Sequence, residues 1–225
     1  MEVFRVEQKY ILSYPKARDL ADRISAILPR DANSGPDGYK VRSLYFDTVF
    51  DKDKTEKDIG IEKRRKIRLR IYNADISTAK LEVKEKSSQY QRKRSVKLPA
   101  GDALSLCRGD YEFLGRMQSA LALEIYSLMT TQMYRPKCIV EYDRVAFVGN
   151  FNEVRITFDS NLKAGVGNPE RFSGDPVLIP SADPGIVTLE VKYNGFLPTY
   201  IKSLIDTVDR SATSASKYIA CRRII

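Results

Sequence analysis

In about seven short segments of this chain, apolar residues occupy every second position and charged or polar residues fill the places between. Phe4, Val6, Gln8 and Tyr10 alternate with Arg5, Glu7, Lys9 and Ile11. Ile67, Leu69 and Ile71 alternate with Lys66, Arg68 and Arg70, and Leu81 and Val83 with Lys80, Glu82, Lys84 and Lys86. Val96 and Leu98 alternate with Lys93, Ser95 and Lys97. Tyr142, Arg144 and Ala146 oppose Glu141, Asp143 and Val145, and Val154, Ile156 and Phe158 oppose Arg155, Thr157 and Asp159. Val187, Leu189, Val191 and Tyr193 alternate with Thr188, Glu190, Lys192 and Asn194. A period of two belongs to strands with unlike faces, so the chain must build a sheet with one face in a core and the other dense in charge.

Three segments carry helical spacing instead. Residues 15–28 begin at Pro15, stripe Leu20, Ile24, Ile27 and Leu28, and stop at Pro29. Residues 112–131 carry Phe113, Met117, Leu121 and Ile125, and residues 198–209 begin at Pro198 and carry Ile201, Leu204, Ile205 and Val208. These stripes read as ordinary core packing. The Gly-, Pro-, Ser- and Asn-rich stretch 164–186 reads as a long loop. The expectation is one α+β domain over residues 1–225, mostly antiparallel, with helices packed outside.

A charged face meets water on many strands. Here the faces are rich in cations, in a chain with 38 Lys and Arg against 29 Asp and Glu and a net charge of +9. Like charges on neighbouring strands repel. Closing the sheet into an antiparallel barrel of about eight strands would turn the cations inward and the apolar faces out toward the helices. Few inward carboxylates are available to offset them: Glu7, Glu82, Glu190 and, less clearly placed, Asp159. The remainder calls for an anionic partner with several negative charges.

The chain has no histidine, which removes the commonest general base and transition-metal ligand. A metal site would have to use carboxylates, which suit Mg²⁺ or Mn²⁺. Cys107, Cys138 and Cys221 lack the spacing of a zinc site or a disulfide framework and read as buried reduced thiols. No segment approaches the ~20 apolar residues of a membrane span, so a cytoplasmic protein is expected.

An ordered set of short motifs resembles the VTC domain of the triphosphate tunnel metalloenzymes. It comprises Arg5-x-Glu7-x-Lys9-Tyr10, Ser43-Leu44-Tyr45-Phe46-Asp47, Arg68-x-Arg70-x-Tyr72, Leu81-Glu82-Val83-Lys84 and Glu141-Tyr142-Asp143-Arg144. Val154-Arg155-Ile156-Thr157-Phe158-Asp159, Leu189-Glu190-Val191-Lys192 and Ser216-Lys217-Tyr218 complete it. The resemblance implies a closed antiparallel tunnel that makes polyphosphate from ATP with a Mn²⁺- or Mg²⁺-type metal. It implies phosphate binding or catalysis by Lys9, Arg68, Arg70, Lys84, Lys93, Arg144, Arg155 and Lys217. It implies metal binding by Glu190, with Glu7 and Glu82 as further candidates, and hydrogen bonding to phosphate by Tyr142 and Ser216. Lys93 sits in Gln91-Arg92-Lys93-Arg94, which offers cations to both faces. Wider tunnel families open with Glu-x-Glu-x-Lys; here the first position is Arg5, which favours a one-metal site over a two-metal hydrolase.

The ligands so implied are ATP, pyrophosphate and inorganic polyphosphate. Related domains are often fused to membrane components, which makes a separate membrane-protein partner an expectation. Two other uses of the same site stay open: a non-catalytic polyphosphate- or nucleotide-binding module, and a tripolyphosphatase in which Glu7 or Glu82 activates water. A nucleic-acid binder is not expected, because no RNA- or DNA-recognition motif is present and Trp is absent.

Overall fold

The structure is a computed structural model describing residues 5–87, 90–166, 171–207 and 216–225. Phe4, the side chain of Arg5 and Val208, which the sequence assigns to a strand and a helix, lie outside the described residues. In chain order the elements are β1 (Arg5–Ser13), α1 (Tyr14–Ser25), β2 (Tyr39–Thr48), α2 (Lys52–Asp58), β3 (Arg64–Tyr72), β4 (Asp75–Ser87), β5 (Tyr90–Lys97) and α3 (Ala100–Cys107). There follow α4 (Glu112–Arg116), α5 (Ala120–Thr131), β6 (Tyr134–Val148), β7 (Arg155–Val166), β8 (Leu178–Pro180), β9 (Ile186–Asn194), α6 (Thr199–Ile205) and α7 (Lys217–Arg222).

The strands order as β1-β9-β7-β6-β2-β3-β4-β5, with β8 beside β7. The expected α+β, mostly antiparallel architecture is present, but the sheet does not close into a barrel. Among the described residues β1 and β5 end the hydrogen-bonded path. The edge strand β5 carries Arg92, Lys93, Arg94 and Lys97. Charged edges are a common way to end a sheet.

The chain forms two compact units. The first comprises residues 1–40, 142–163 and 180–220. There β1 pairs with β9 and β9 with β7, all antiparallel, and the registers set Lys9 opposite Glu190 and Thr157 opposite Glu190. Tyr10, Leu12, Ile156, Phe158, Leu189 and Val191 take the other parity and form a core with Leu20 and Ile24 of α1 and Ile201 and Ile205 of α6. Pro15 stands in the first turn of α1, where its missing N–H costs nothing. Gly38 sits at φ +83°, and a Cβ there would come 2.2 Å from the Arg144 carbonyl oxygen, so only glycine allows that approach.

The second unit comprises residues 41–141, 164–179 and 221–225. Its core joins Leu44, Phe46, Ile67, Leu69, Leu81 and Val83 of β2–β4 to α3, α4 and α5. The single helix expected over 112–131 is two helices. Met117 is extended and the Ser119 side chain accepts the Ala122 N–H, starting α5 anew. Gly115 lets α4 meet α5: a Cβ there would lie 3.2 Å from the Tyr126 ring. The stretch 164–186 is not one loop, because β7 continues to Val166, β8 forms at Leu178–Pro180 and β9 begins at Ile186. All three cysteines are buried, and none forms a disulfide.

Helix α2 buries an acid. Asp47 holds the start of this helix by accepting the N–H groups of Asp53 and Lys54 at 2.9 and 3.0 Å. Asp53 is 2% exposed and both its carboxyl oxygens face the Tyr134 hydroxyl, at 2.9 and 3.0 Å. Burial and then the nearby Asp47 push its pKa up to about 7, against the Tyr134 hydrogen bond and the charge of Arg65. The folded state therefore holds a proton that the unfolded chain releases near the ordinary value of 3.8. Stability from this group is complete below about pH 4 and declines up to about pH 7, by on the order of 4 kcal/mol. Urea titrations of Asp53→Asn beside the unsubstituted protein should show the variant gaining relative stability across that window. Parallel pH profiles would mean that Asp53 ionises as an ordinary surface acid.

Candidate functional site

Each unit presents one charged sheet face, opposite in parity to its core. In the second unit the register puts cations directly across from cations: Arg64 faces Lys86, Lys66 faces Lys84 and Arg70 faces Lys80. Lys80 in turn faces Lys97, and Lys84 faces Lys93. Among the described residues nine cations share this face of β3–β5 with one carboxylate, Glu82. Glu82 is 1% exposed and accepts from Arg68 Nε at 2.7 Å and Lys93 Nζ at 3.0 Å, with Arg70 Nη1 at 3.8 Å. Burial opposes its charge, but Arg68, Arg70 and Lys93 outweigh burial and hold its pKa far below the carboxylate range. Arg68 also donates to the Tyr45 hydroxyl at 2.9 Å, and Arg70 Nε to Ser43 Oγ at 3.2 Å. Lys93 therefore belongs to the charged face, while Arg94 points the other way to Glu85 and Glu124.

In the first unit the charged face carries Glu7 and Lys9 of β1, Glu190 and Lys192 of β9, and Arg155, Thr157 and Asp159 of β7. Its cations are paired. Lys9 Nζ lies 3.2 Å from Glu7 and 3.8 Å from Glu190, and Lys192 Nζ lies 3.0 Å from Glu190 and 3.9 Å from Glu7. Arg144 grips both oxygens of Asp159 at 2.6 and 2.7 Å and reaches Glu190 at 3.7 Å. Lys217, at the start of α7, meets Asp159 at 2.7 Å. Arg155 pairs with Asp31 at 2.6 Å and donates to Tyr39 at 3.1 Å. The Tyr142 ring lies 5.2 Å from the Arg144 guanidinium and 5.0 Å from the Lys217 ammonium, a cation–π platform for both. Ser216 Oγ accepts the Ile219 N–H at 3.4 Å ahead of α7.

Burial works against the charge of Lys9, but Glu190 and Glu7 outweigh it and raise its pKa. Burial likewise opposes ionisation of Asp159 and Glu190. Arg144 and Lys217 bring Asp159 down to about 2, and Lys192 and Lys9 hold Glu190 well below its usual value.

The predicted residues thus fall into two sets: Arg68, Arg70, Glu82, Lys84 and Lys93 on the second unit's face, and Glu7, Lys9, Tyr142, Arg144, Arg155, Glu190 and Lys217 in the first unit. The sequence reading passed over Asp31 and Lys192 as site residues, as well as Lys66, Lys80, Lys86 and Lys97. Asp31 has no strand parity to betray it. The other five carry the right parity, but the family resemblance assigned them nothing. The excess of cations is large on the second unit's described face; in the first unit four carboxylates answer five cations.

Among the described residues no three acidic, cysteine or histidine side chains cluster, so no protein-only metal cage is present. Glu7 and Glu190 nevertheless converge through shared ammoniums, and facing Glu190 across the β7–β9 register is the buried Thr157 hydroxyl, which has no hydrogen-bond partner. Two carboxylates and an orphaned hydroxyl fit a hard divalent cation that takes its remaining ligands from outside the protein.

Fold and faces together define an α+β protein whose antiparallel sheet devotes one side to cations. The VTC domain profile matches residues 4–225, and the chain belongs to that family. No curated protein sequence matches it significantly. A candidate adenylate cyclase from Bacillus halodurans is structurally similar, with a TM-score of 0.55, 13% identity and coverage of 95% of this chain and 94% of that one. Another from Vibrio parahaemolyticus has a TM-score of 0.54 at 12% identity, covering 99% of both chains. These likenesses show the fold.

Glu82→Gln leaves Arg68, Arg70 and Lys93 facing one another with no carboxylate between them. Breaking such a buried pair costs about 3–5 kcal/mol. The ligand-free variant should melt well below the unsubstituted protein, and tripolyphosphate should restore more stability to it than to the parent. Equal melting of the two ligand-free proteins would show that Glu82 is not what holds these cations together.

Proposed function

We propose that this chain is a polyphosphate polymerase that transfers the γ-phosphoryl group of ATP to the end of a growing inorganic polyphosphate chain. The observation that carries this reading is the row of cation pairs across β3–β5, set directly opposite one another with Glu82 the one acid among them. Directly opposed like charges destabilise a sheet, and their retention is explained by a ligand that supplies closely spaced negative charges. Membership of the VTC family supports polyphosphate over other anions.

Phosphoryl transfer needs positioning and charge stabilisation more than covalent chemistry. Arg68 and Arg70, one strand period apart, offer flat bidentate donors to neighbouring phosphates, and Lys84 and Lys93 add point charges beside them. In the first unit Lys9, Arg144, Arg155 and Lys217 are the proposed phosphate ligands, with Tyr142 orienting Arg144 and Lys217 by its ring and Ser216 preceding Lys217. Glu190 and Glu7 would hold a Mn²⁺ or Mg²⁺ ion, which supplies charge neutralisation at the phosphoryl oxygens when bound. The terminal phosphate of polyphosphate is already an anion, so the acceptor needs no general base, in keeping with a chain that has no histidine.

Among the described residues no helix is long and apolar enough to cross a membrane. We place the protein in the cytoplasm, where ATP is available, with any membrane protein acting as a separate partner.

Incubation of the pure protein with ATP and Mn²⁺ should yield polyphosphate ladders on a gel. Tripolyphosphate binding without polymer would replace the polymerase by a binding module, and release of inorganic phosphate alone would replace it by a hydrolase. Arg70→Ala, which removes a charged hydrogen-bond donor, should weaken tripolyphosphate binding by about 10- to 100-fold in calorimetry. A change smaller than threefold would remove Arg70 from the binding face.

A further inference from the structure

Lys9 and Lys192 each touch both carboxylates of one pair: Lys9 lies nearer Glu7 and Lys192 nearer Glu190. Two ammoniums thus bridge two carboxylates, and this local square is already neutral. Arg144, 3.7 Å from the far oxygen of Glu190, is itself matched by Asp159.

The charge a divalent cation would bring to Glu7 and Glu190 is therefore supplied in its absence by the two lysines. An ion entering alone would either displace an ammonium from its carboxylates or leave two surplus positive charges in a site whose Glu190 is 6% exposed. Charges a few ångströms apart in such surroundings repel by several kcal/mol. A phosphate chain changes the balance, because its oxygens give the lysines new partners. The buried Thr157 hydroxyl, with no partner and opposite Glu190 in register, has hydrogen-bonding capacity for that rearrangement.

We propose that Lys192 acts as a placeholder for the metal, a positioning residue that makes divalent-cation binding at Glu7 and Glu190 conditional on a bound oligophosphate. Lys192 holds Glu190 at 3.0 Å when no phosphate is present and turns to phosphate oxygens when the anion arrives. Metal and phosphate then enter together, and the ligand-free protein does not collect metal. The inference rests on the polyphosphate reading of the site, and it assigns Lys192 a role distinct from gripping substrate.

Calorimetry separates the two. Mn²⁺ alone is titrated into the unsubstituted protein, Lys192→Met and the double variant Lys192→Met/Glu190→Gln, each first checked for native circular dichroism. Lys192→Gln, which keeps a polar group, serves as a second variant if methionine disturbs the fold. Tripolyphosphate in EDTA and preformed Mn²⁺–tripolyphosphate are titrated in parallel. The parent should bind free Mn²⁺ weakly, Lys192→Met at least about tenfold more tightly, and the double variant should lose the gain. The parent should also bind Mn²⁺–tripolyphosphate at least as tightly as the bare anion. If the parent binds free Mn²⁺ as tightly as Lys192→Met while still binding tripolyphosphate, the placeholder role is overturned and the phosphate site stands. If tripolyphosphate does not bind in either form, the polyphosphate reading itself falls. The free-metal titrations contain no phosphate, so their outcome is read separately.

Discussion

Cation facing cation across β3, β4 and β5 is the constraint on which the second unit depends. Five such pairs lie directly opposite one another, and Glu82, with Arg68 on one neighbouring strand and Lys93 on the other, is the carboxylate among them. A sheet tolerates this only if its other face contributes enough burial. Ile67, Leu69, Leu81 and Val83 are at most 3% exposed and pack beneath the charged face against the helical layer. Fully burying each of these side chains is worth about 1.5–3 kcal/mol, against opposed-charge penalties of about 0.2–1 kcal/mol per pair. The apolar face therefore carries the fold, and the charged face is free to be shaped by a ligand.

Glu82 also changes what the arginines do in the empty protein. On a face of cations alone, removing Arg68 or Arg70 would relieve repulsion and steady the ligand-free chain. With Glu82 buried at the focus of three cations, Arg68 is instead half of a close pair, held by two donors to the same carboxylate. Removing Arg68 strips a buried acid of its nearest partner. Removing Arg70, 3.8 Å away, disturbs that acid less. The two arginines share a face and a proposed ligand, but their stability effects should differ, a distinction that strand parity cannot draw because it carries no distances.

What the sequence made legible was whatever repeats with the period of a strand. Core and charged residues of β1, β3, β4, β7 and β9 separate by parity, and the charged set contains most of the candidate site. Parity failed where both registers offer a cation: Lys93 and Arg94 were told apart only when Glu82 and Glu124 were found on opposite sides. It failed also for short elements, since α2, α3 and α7 span two turns or fewer or lack a stripe, and for the break between α4 and α5, which turns on the Ser119 cap inside an otherwise continuous apolar pattern. Asp31 reaches Arg155 from a loop, and Asp53 owes its shifted pKa to burial by neighbours distant in sequence; both are products of tertiary structure. The strand path is open at β1 and β5, and the buried acids Glu82, Asp159, Glu190 and Asp31 each hold one or more cations.

The two charged faces consequently differ in what they ask of an anion. Among the described residues of the second unit's face the cations outnumber the acid by nine to one, so under the proposed function a chain of phosphates would gain from charge neutralisation there. On the first unit's face nearly every cation already has a carboxylate, so under the proposed function an anion would bind there by exchange: each phosphate contact with Lys9, Arg144 or Lys217 would displace or share a contact with Glu7, Glu190 or Asp159. Exchange yields little net affinity but strong discrimination, because a ligand that fails to reach every released partner leaves a buried charge unpaired. Excess charge therefore suits retention of a polymer of varying length. Compensated charge would suit recognition of one phosphate arrangement.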